Sequence, residues 1–497
     1  MRGRVCKSFR AMRVVLINPP WLFPGSLDRL SQNNGLGYVA SYLRAAADVE
    51  ISVVDALAEG ADQCRQVPGV NGISQYGLSY EEIASRIPGE PDFIGITGPF
   101  TYYQKIVTEL VHLLKSRFGS SKVVLGGVFP STLPSEALDT GADFIVLGEG
   151  EKPFTDLVLG KEPSDIPGLR WISEGEKQVS AEKNAILDID TIPFPARDLL
   201  PFDRYLAVSS RGKIGRRAVS IVTSRGCPFD CGFCSVHKIY GHRWRGRSPG
   251  NVLAEIEECI RTYDIEHVEF EDDNLTLDPR RAGEIFDGII EINRGRENPL
   301  TWNTPNGIRI DSLNEDLLVR MKRAGCVKLS LGLEHGDPEM LGLMNKKLDP
   351  SRVEEVVRIC GKLKIRTLIY YIVGYPGETE ARFRNGLAFA RKLKKLGADN
   401  FAVYVAKAYP GTVLERLCRE KGYLADRVID ERIIRGDYGN IATEDFTREE
   451  VIRRQREMDR VLNPPHPLVG IAKTVIPRKI YGKIKNSSLS ARIRKMI

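Results

Sequence analysis

No apolar run in this 497-residue chain reaches the roughly 18–20 residues that a membrane-spanning helix needs. The N-terminus, MRGRVCKSFRAMRVV, is basic but carries no apolar h-region before its first strand-like run, so no secretory signal is expected. No basic patch interleaved with aromatic residues occurs, which argues against nucleic acid as a partner. Acid is missing from one long stretch. Residues 471–497 hold eight Lys and Arg and no Asp or Glu, against a net charge of +7 for the whole chain, so the body is close to neutral. Within that tail Ile476, Ile480, Ile484, Leu489, Ile493 and Ile497 interleave with the charges. The pattern is that of an amphipathic, interfacial segment, and peripheral contact with an anionic membrane is expected, the alternative being a solvated terminus.

Paired cysteines are also lacking. The nine cysteines are an odd number, and Cys6, Cys64, Cys259, Cys326, Cys360 and Cys418 stand singly, mostly within helical or strand patterns. Free thiols in a reducing cytoplasm are the expectation for these six. The other three are crowded into GCPFDCGFC, residues 226–234, where Cys227, Cys231 and Cys234 have C-x3-C-x2-C spacing with Phe233 just before the last. An iron–sulfur cube normally takes four thiolates, so a local triplet can hold three irons and leave one corner open for chemistry. Zinc with His237 as fourth ligand would cramp four ligands into eleven residues, where structural zinc sites use two separated knuckles. A C-x-x-C redox pair would leave one cysteine unexplained. Gly226, Pro228, Asp230 and Gly232 make the segment a loop after the strand-like run 218–223. The nonapeptide resembles the signature of the radical SAM enzymes, in which S-adenosylmethionine (SAM) chelates the open iron of a [4Fe–4S] cluster.

Residues 12–160 alternate between strand and helix patterns. Strand-like runs at 13–17, 51–54, 92–97, 122–125 and 143–147 are separated by helical patterns at 37–47, 80–87, 102–118 and 134–139. That order implies a doubly wound, flavodoxin-like parallel sheet with ligands beyond the carboxyl ends of its strands. Those ends read NPP (18–20), TGP (97–99), GG (126–127) and GEGE (148–151), and such small residues let backbone approach a large flat ligand. Gly35-Leu36-Gly37-Tyr38-Val39-Ala40 matches a dinucleotide fingerprint but lies well past the first strand, and it reads as a helix start.

The region resembles the cobalamin-binding domain that precedes the radical SAM domain in one large subclass, chiefly through LGGVFPS (125–131) and IVLGEGE (145–151). This resemblance implies cobalamin contacts at Asn18, Pro19, Thr97, Gly126, Gly127, Glu149 and Gly150. The D-x-H-x-x-G loop of the methionine-synthase type is absent, and His112, the only histidine of the region, lies in a helical pattern. The lower face of a bound cobalamin is therefore expected to lack a histidine ligand.

Further strands at 218–223, 267–270, 302–304, 326–332, 367–373 and 400–405 alternate with helices at 249–263, 279–293, 314–324, 351–362 and 378–396. Six such units resemble the partial (β/α)6 barrel of radical SAM proteins, whose chemistry sits at the carboxyl ends of the strands. The resemblance implies that SAM meets Phe233, the second-strand end at Asp272 and Asp273, Glu334 at the fourth, and Gly374 in the turn VGYPGE. Of the tyrosines, Tyr370, Tyr371 and Tyr404 are expected to fill the barrel. The segment SVHKIYGHRWRGRSP (235–249) brings cations and aromatics beside the cluster loop.

The domains implied are a cobalamin-binding unit (12–155), a linker or subdomain (156–215), the radical SAM core (216–430) and a C-terminal region with the basic tail (431–497). The activity implied is reductive cleavage of SAM to a 5′-deoxyadenosyl radical followed by methylation of an unactivated carbon. Cyclisation or oxidation without methyl transfer, or a non-catalytic redox or sensor role, are the alternatives. A ferredoxin or flavodoxin would supply electrons. A lipid substrate is attractive in view of the tail, and a cytoplasmic or membrane-associated small-molecule enzyme is expected.

Overall fold

The computed structural model describes residues 12–464 except 26, 28, 29, 31, 68, 71, 184, 208–216, 425–430 and 437. The basic tail and Cys6 lie outside the described residues. No helix among the described residues is long and apolar enough to cross a membrane.

The run MRVVLIN forms the strand Met12–Asn18, whose last five residues are all buried, as a parallel strand covered on both faces requires. It pairs with Val49–Asp55 on one side and Phe93–Thr97 on the other, and Lys122–Gly126 and Phe144–Val146 follow outward, all parallel. In chain order these five strands run 2-1-3-4-5, the flavodoxin-like winding, so the order reverses between Met12–Asn18 and Phe93–Thr97. A crevice opens at such a reversal. The hairpin of Leu169–Ser173 and Glu176–Val179, within the segment expected as a linker, joins this sheet antiparallel on Phe144–Val146. Its turn is made by Glu174 and Gly175, both with positive φ.

The second sheet contains Ala218–Ile221, His267–Phe270, Thr301–Ile308, Cys326–Glu334, Arg366–Val373 and Asn400–Val405, parallel and in chain order. Its first and last strands do not pair, so it is an open six-stranded barrel. Five helices cover it, and each starts on a side-chain cap: Ser248, Asp278, Asn314, Asp349 or Thr379 accepts an N–H of the first turn. Register shifts near the carboxyl ends of Thr301–Ile308 and Cys326–Glu334 redirect the chain there. The C-terminal helix Arg448–Leu462 packs on the last two strands and closes the barrel's far side.

One hydrophobic core runs from Leu57 and Ala58 of the first unit through Phe202 and Tyr205 of the linker into the barrel. Polar bonds lock the same junction. Glu255, wholly buried, pairs with Arg197 of the linker and Arg247 of the post-cluster segment. The Asn34 side-chain amide donates to the Ser220 hydroxyl at 2.9 Å. Removing Glu255 would strand two buried guanidinium groups. Glu255→Ala is expected to lose about 3–5 kcal/mol of unfolding free energy, measured by chemical denaturation, whereas Glu258→Ala on the same helix should be near neutral.

Candidate functional site at the junction of two sheets

The cysteine loop leaves the first barrel strand and is pinned at its start by a two-residue antiparallel pair, Ser224–Arg225 with Arg245–Gly246. Gly226 has φ +84°, and a Cβ there would lie 2.6 Å from the Arg243 carbonyl oxygen, so only glycine fits. Gly232 donates to the Met344 carbonyl at 2.9 Å and accepts from the Leu414 amide at 2.8 Å. A Cβ on it would lie 2.5 Å from the Tyr375 hydroxyl. The loop is thus stitched to the barrel at its centre. Cys231 is buried, while Cys227 and Cys234 are half-buried. Burial pushes all three thiols up, Cys234 to about 12, and Cys227 and Cys234 also sense the charge of Cys231. Lys346 and Arg309 pull the Cys231 thiol back down. The Arg309 guanidinium stacks 3.6 Å from the centre of the Phe229 ring. Three thiols in one loop, with Lys346 and Arg309 near Cys231, fit an anionic thiolate cluster, whose binding must displace the thiol protons.

Two residues before Cys227, Arg225 reaches across to the first sheet. Its guanidinium bonds Glu149 and Glu151 at 2.6 Å each, and Arg245 bonds Glu149 at 2.8 Å. All four side chains are buried. Arg225 also lies 4.9 Å from the Tyr38 ring centre. The GEGE loop of one sheet and the cysteine loop of the other are therefore a single charged joint.

Two openings flank the joint. The first is a cleft of about 230 Å³ at the carboxyl ends of the first sheet, bounded by Thr97, Gly126, Gly127, Glu149, Gly150 and the helix start at Gly35. A Cβ on Gly126 would meet nothing within 4 Å, so this wall is a bare backbone cradle, the shape a broad flat ligand needs. The second, of about 290 Å³, is bounded by Trp21, Gln32, Asn306, Ser224, Glu271 and Asp273. Asn34, Gly35, Thr97, Val222 and Tyr240 line both. None of the described residues lining the second cavity is Lys or Arg.

Residues 221–390 match the Radical SAM superfamily, and residues 26–158 match the B12 binding domain. An uncharacterised methyltransferase of Pyrococcus horikoshii is 30% identical over 416 residues, covering 82% of this chain and 83% of that one. The chain belongs to the radical SAM superfamily, in the branch with an N-terminal B12-binding domain. The cytidylyl-2-hydroxyethylphosphonate methyltransferase of Streptomyces wedmorensis is 27% identical, covering 84% of this chain and 83% of that one. Among solved structures, the radical SAM methyltransferase TsrM from Kitasatospora setae, with cobalamin and a [4Fe–4S] cluster bound, superposes with a TM-score of 0.64. It is 19% identical, over 84% of this chain and 80% of that one, a likeness of fold. Membership makes this protein an enzyme whose cofactors are a [4Fe–4S] cluster, SAM and cobalamin.

Within this B12-dependent radical SAM chain, the two carboxylates of the second-strand end separate. Asp272 turns back, accepting the Thr223 amide and hydroxyl at 3.2 and 2.7 Å and the Ser224 hydroxyl at 2.5 Å. Asp273 faces the second cavity and accepts only the Gly226 amide. Burial, and then the Asp272 charge, push its carboxyl up to about 6. Glu334, at φ +70°, pairs with buried Lys346 at 2.9 Å. Gly374, at φ +77°, packs against the C-terminal helix, where a Cβ would lie 2.4 Å from Val451. Phe233 is half-buried against the barrel core. Asn18 and Pro19 lie outside the described cleft lining: the Asn18 amide donates to Asp55 at 2.9 Å and its oxygen accepts the Trp21 indole N–H at 3.3 Å.

Arg245 and Arg247 turn inward onto Glu149 and Glu255, because an unpaired buried guanidinium is costly and both glutamates are buried beside them, whereas Arg243 is exposed. His112 is exposed on the helix Gln104–Arg117 and is not among the residues bounding the cleft. Tyr371 fills the barrel as expected, but Tyr404 is half exposed. Cys64 is exposed, whereas Cys259, Cys326, Cys360 and Cys418 are buried free thiols. The sequence reading missed Asn34, Gly35, Tyr38 and Arg225. The rejected fingerprint does begin a helix, Asn34–Ala46, capped by Asn33, yet its first turn lines both openings.

Asp273 is a group whose folded-state pKa stands above its unfolded value. Its penalty is absent at low pH, grows as pH rises from about 4 to about 6, and is complete above that. Asp273→Asn is therefore expected to unfold at higher denaturant than the parent at pH 8, by about 1–2 kcal/mol, and to lose that advantage near pH 4. Equal midpoints at pH 8 would contradict the strained carboxylate.

Proposed function

We propose that this enzyme is a methyltransferase that uses radical chemistry to methylate an unactivated carbon of a small molecule held between its two sheets. The observation that carries the reading is the shared rim: the cleft at the ends of the first sheet opens, past Asn34, Thr97 and Tyr240, onto the cavity that holds Asp273 beside the cysteine loop. When bound, the reduced cluster supplies the electron that cleaves SAM to a hydrogen-abstracting radical, and methylcobalamin supplies the methyl group.

The chain's own part is positioning. Cys227, Cys231 and Cys234 would ligate three irons. Asp273, half-buried, accepting the Gly226 amide and with no cationic partner among the described residues, suits an ammonium such as that of SAM. Phe233, Glu334 and Gly374 would bound the rest of SAM, with Asp272 orienting the strand end. Gly126, Gly127, Thr97 and Gly150 would carry the corrin, while Glu149 holds its loop in place through Arg225 and Arg245. Asp273, in a cavity whose described lining holds no Lys or Arg, favours a neutral or cationic substrate over a polyanion. Electrons would come from a ferredoxin or flavodoxin.

The test is anaerobic reconstitution with iron, sulfide and cobalamin, then incubation with SAM and a strong reductant. Both 5′-deoxyadenosine and S-adenosylhomocysteine should form, and Cys231→Ser should abolish the first. Deoxyadenosine without homocysteine would favour cyclisation or oxidation, and neither product would leave a non-catalytic role. A second variant isolates the cleft. Gly126→Phe is expected to fold with an unchanged melting temperature, since its side chain enters open space, but to retain less than about one tenth of the parent's cobalamin after gel filtration.

A further inference from the structure

The segment after the cluster contains two histidines that the cluster, SAM and cobalamin do not employ. His237 lies on the short helix Val236–Tyr240, and Gly241, at φ +72°, reverses the chain so that His242 returns onto it. The two imidazoles stack with ring centres 4.9 Å apart and planes 12° from parallel. The carboxylate of Asp230, which lies between Cys227 and Cys231, converges on the same point. One ligand atom from each of the three side chains lies within 4.8 Å of the others. None of the three side chains is committed to a hydrogen bond with another described residue.

We propose that Asp230, His237 and His242 form a binding site for one divalent ion of the zinc class, distinct from the cluster on the cysteines. Two imidazoles and one carboxylate suit zinc, cobalt or nickel, whereas calcium and magnesium prefer all-oxygen sites. A tetrahedral ion with bonds of about 2.0–2.2 Å spaces its ligands about 3.4 Å apart. The longest separation here would have to close by about 1.4 Å, a movement that Asp230 and His242, both exposed, and half-exposed His237 can make by side-chain rotation. Three protein ligands leave a fourth position for water.

The placement indicates what the ion does. Asp230 precedes Cys231, and both histidines follow Cys234, so the ion ties the two arms of the cysteine loop together without using a thiol. Closing that short loop lowers the entropy lost when the cluster assembles, and the free energy of metal binding becomes free energy of loop ordering. The ion is a staple for the loop, not a participant in catalysis.

The experiment is metal analysis of the anaerobically reconstituted holoprotein after exposure to zinc chloride and gel filtration. The parent should carry about one zinc per chain beyond its iron. His237→Ala/His242→Ala should lose that zinc, still load iron and acid-labile sulfide when both are in excess, and give up that iron to a chelator faster than the zinc-loaded parent. Cys227→Ala/Cys231→Ala/Cys234→Ala should lose the iron and keep the zinc. A parent without zinc, a histidine variant that retains it, or a cysteine variant that loses it would each overturn the proposal. If the double histidine variant fails to take up iron, His242→Ala alone, at an exposed side chain, decides by the same comparison. The iron and sulfide content is read in every sample, so failure of the zinc site is distinguishable from failure of the cluster.

Discussion

A buried cluster of four charges holds this molecule in its working arrangement. Arg225 and Arg245 leave the barrel, Glu149 and Glu151 leave the first sheet, and the pairs meet at 2.6–2.8 Å out of water. Such a joint gives little net stability, because desolvating four ions offsets most of the attraction. What it gives is registration. Any sliding of one sheet over the other would leave a buried charge unpaired, at a cost of several kcal/mol, so the two sets of strand ends can face each other in one way. Arg225 stands two residues before Cys227, and Glu149 is within the loop that borders the cleft. The distance between the two reactive centres is therefore set by residues adjacent to both.

Around that joint the charges are sorted by use. Arg197 and Arg247 are consumed by Glu255, and Lys346 by Glu334. Asp272 is consumed by the hydroxyls of Thr223 and Ser224. Asp273 is left over, and its raised pKa records the strain of a carboxylate held in the wall of a cavity without a cation. Groups that hold the fold are paired, and the group that faces the opening is not. Strain kept at a site where a ligand's charge can relieve it is how binding energy comes to depend on the ligand.

The strands and helices were legible in the sequence because parallel strands buried on both faces read as apolar runs, and capped helices announce their starts. Every barrel strand begins or ends within a few residues of its apolar pattern, and the alternation gives a parallel doubly wound sheet, whose 2-1-3-4-5 order the strand pairings supply. The site was legible by its glycines and cysteines, whose spacing is local. It was less legible by its polar residues. Composition at a strand end cannot say that Asn18 turns to Asp55 while Thr97 turns to the cleft. Adjacent aspartates read alike, although the turn after the strand His267–Phe270 sends one to Thr223 and the other to the cavity. The helix start at Asn34 was correctly separated from a dinucleotide motif but not recognised as a wall, because its neighbours come from strands far along the chain.

By itself, then, the sequence determined the two sheets and the three thiols, since each depends on periodicity or on spacing within a few residues. The pairing of Arg225 with Glu149 spans 76 residues and that of Arg245 with Glu149 spans 96, distances over which no local pattern carries information. Only the tertiary structure decided which charges are spent inside the joint, which carboxylate meets the cavity, and that the cleft and that cavity share a wall. Those outcomes follow from desolvation, which acts on a side chain only after the packed chain has settled what surrounds it.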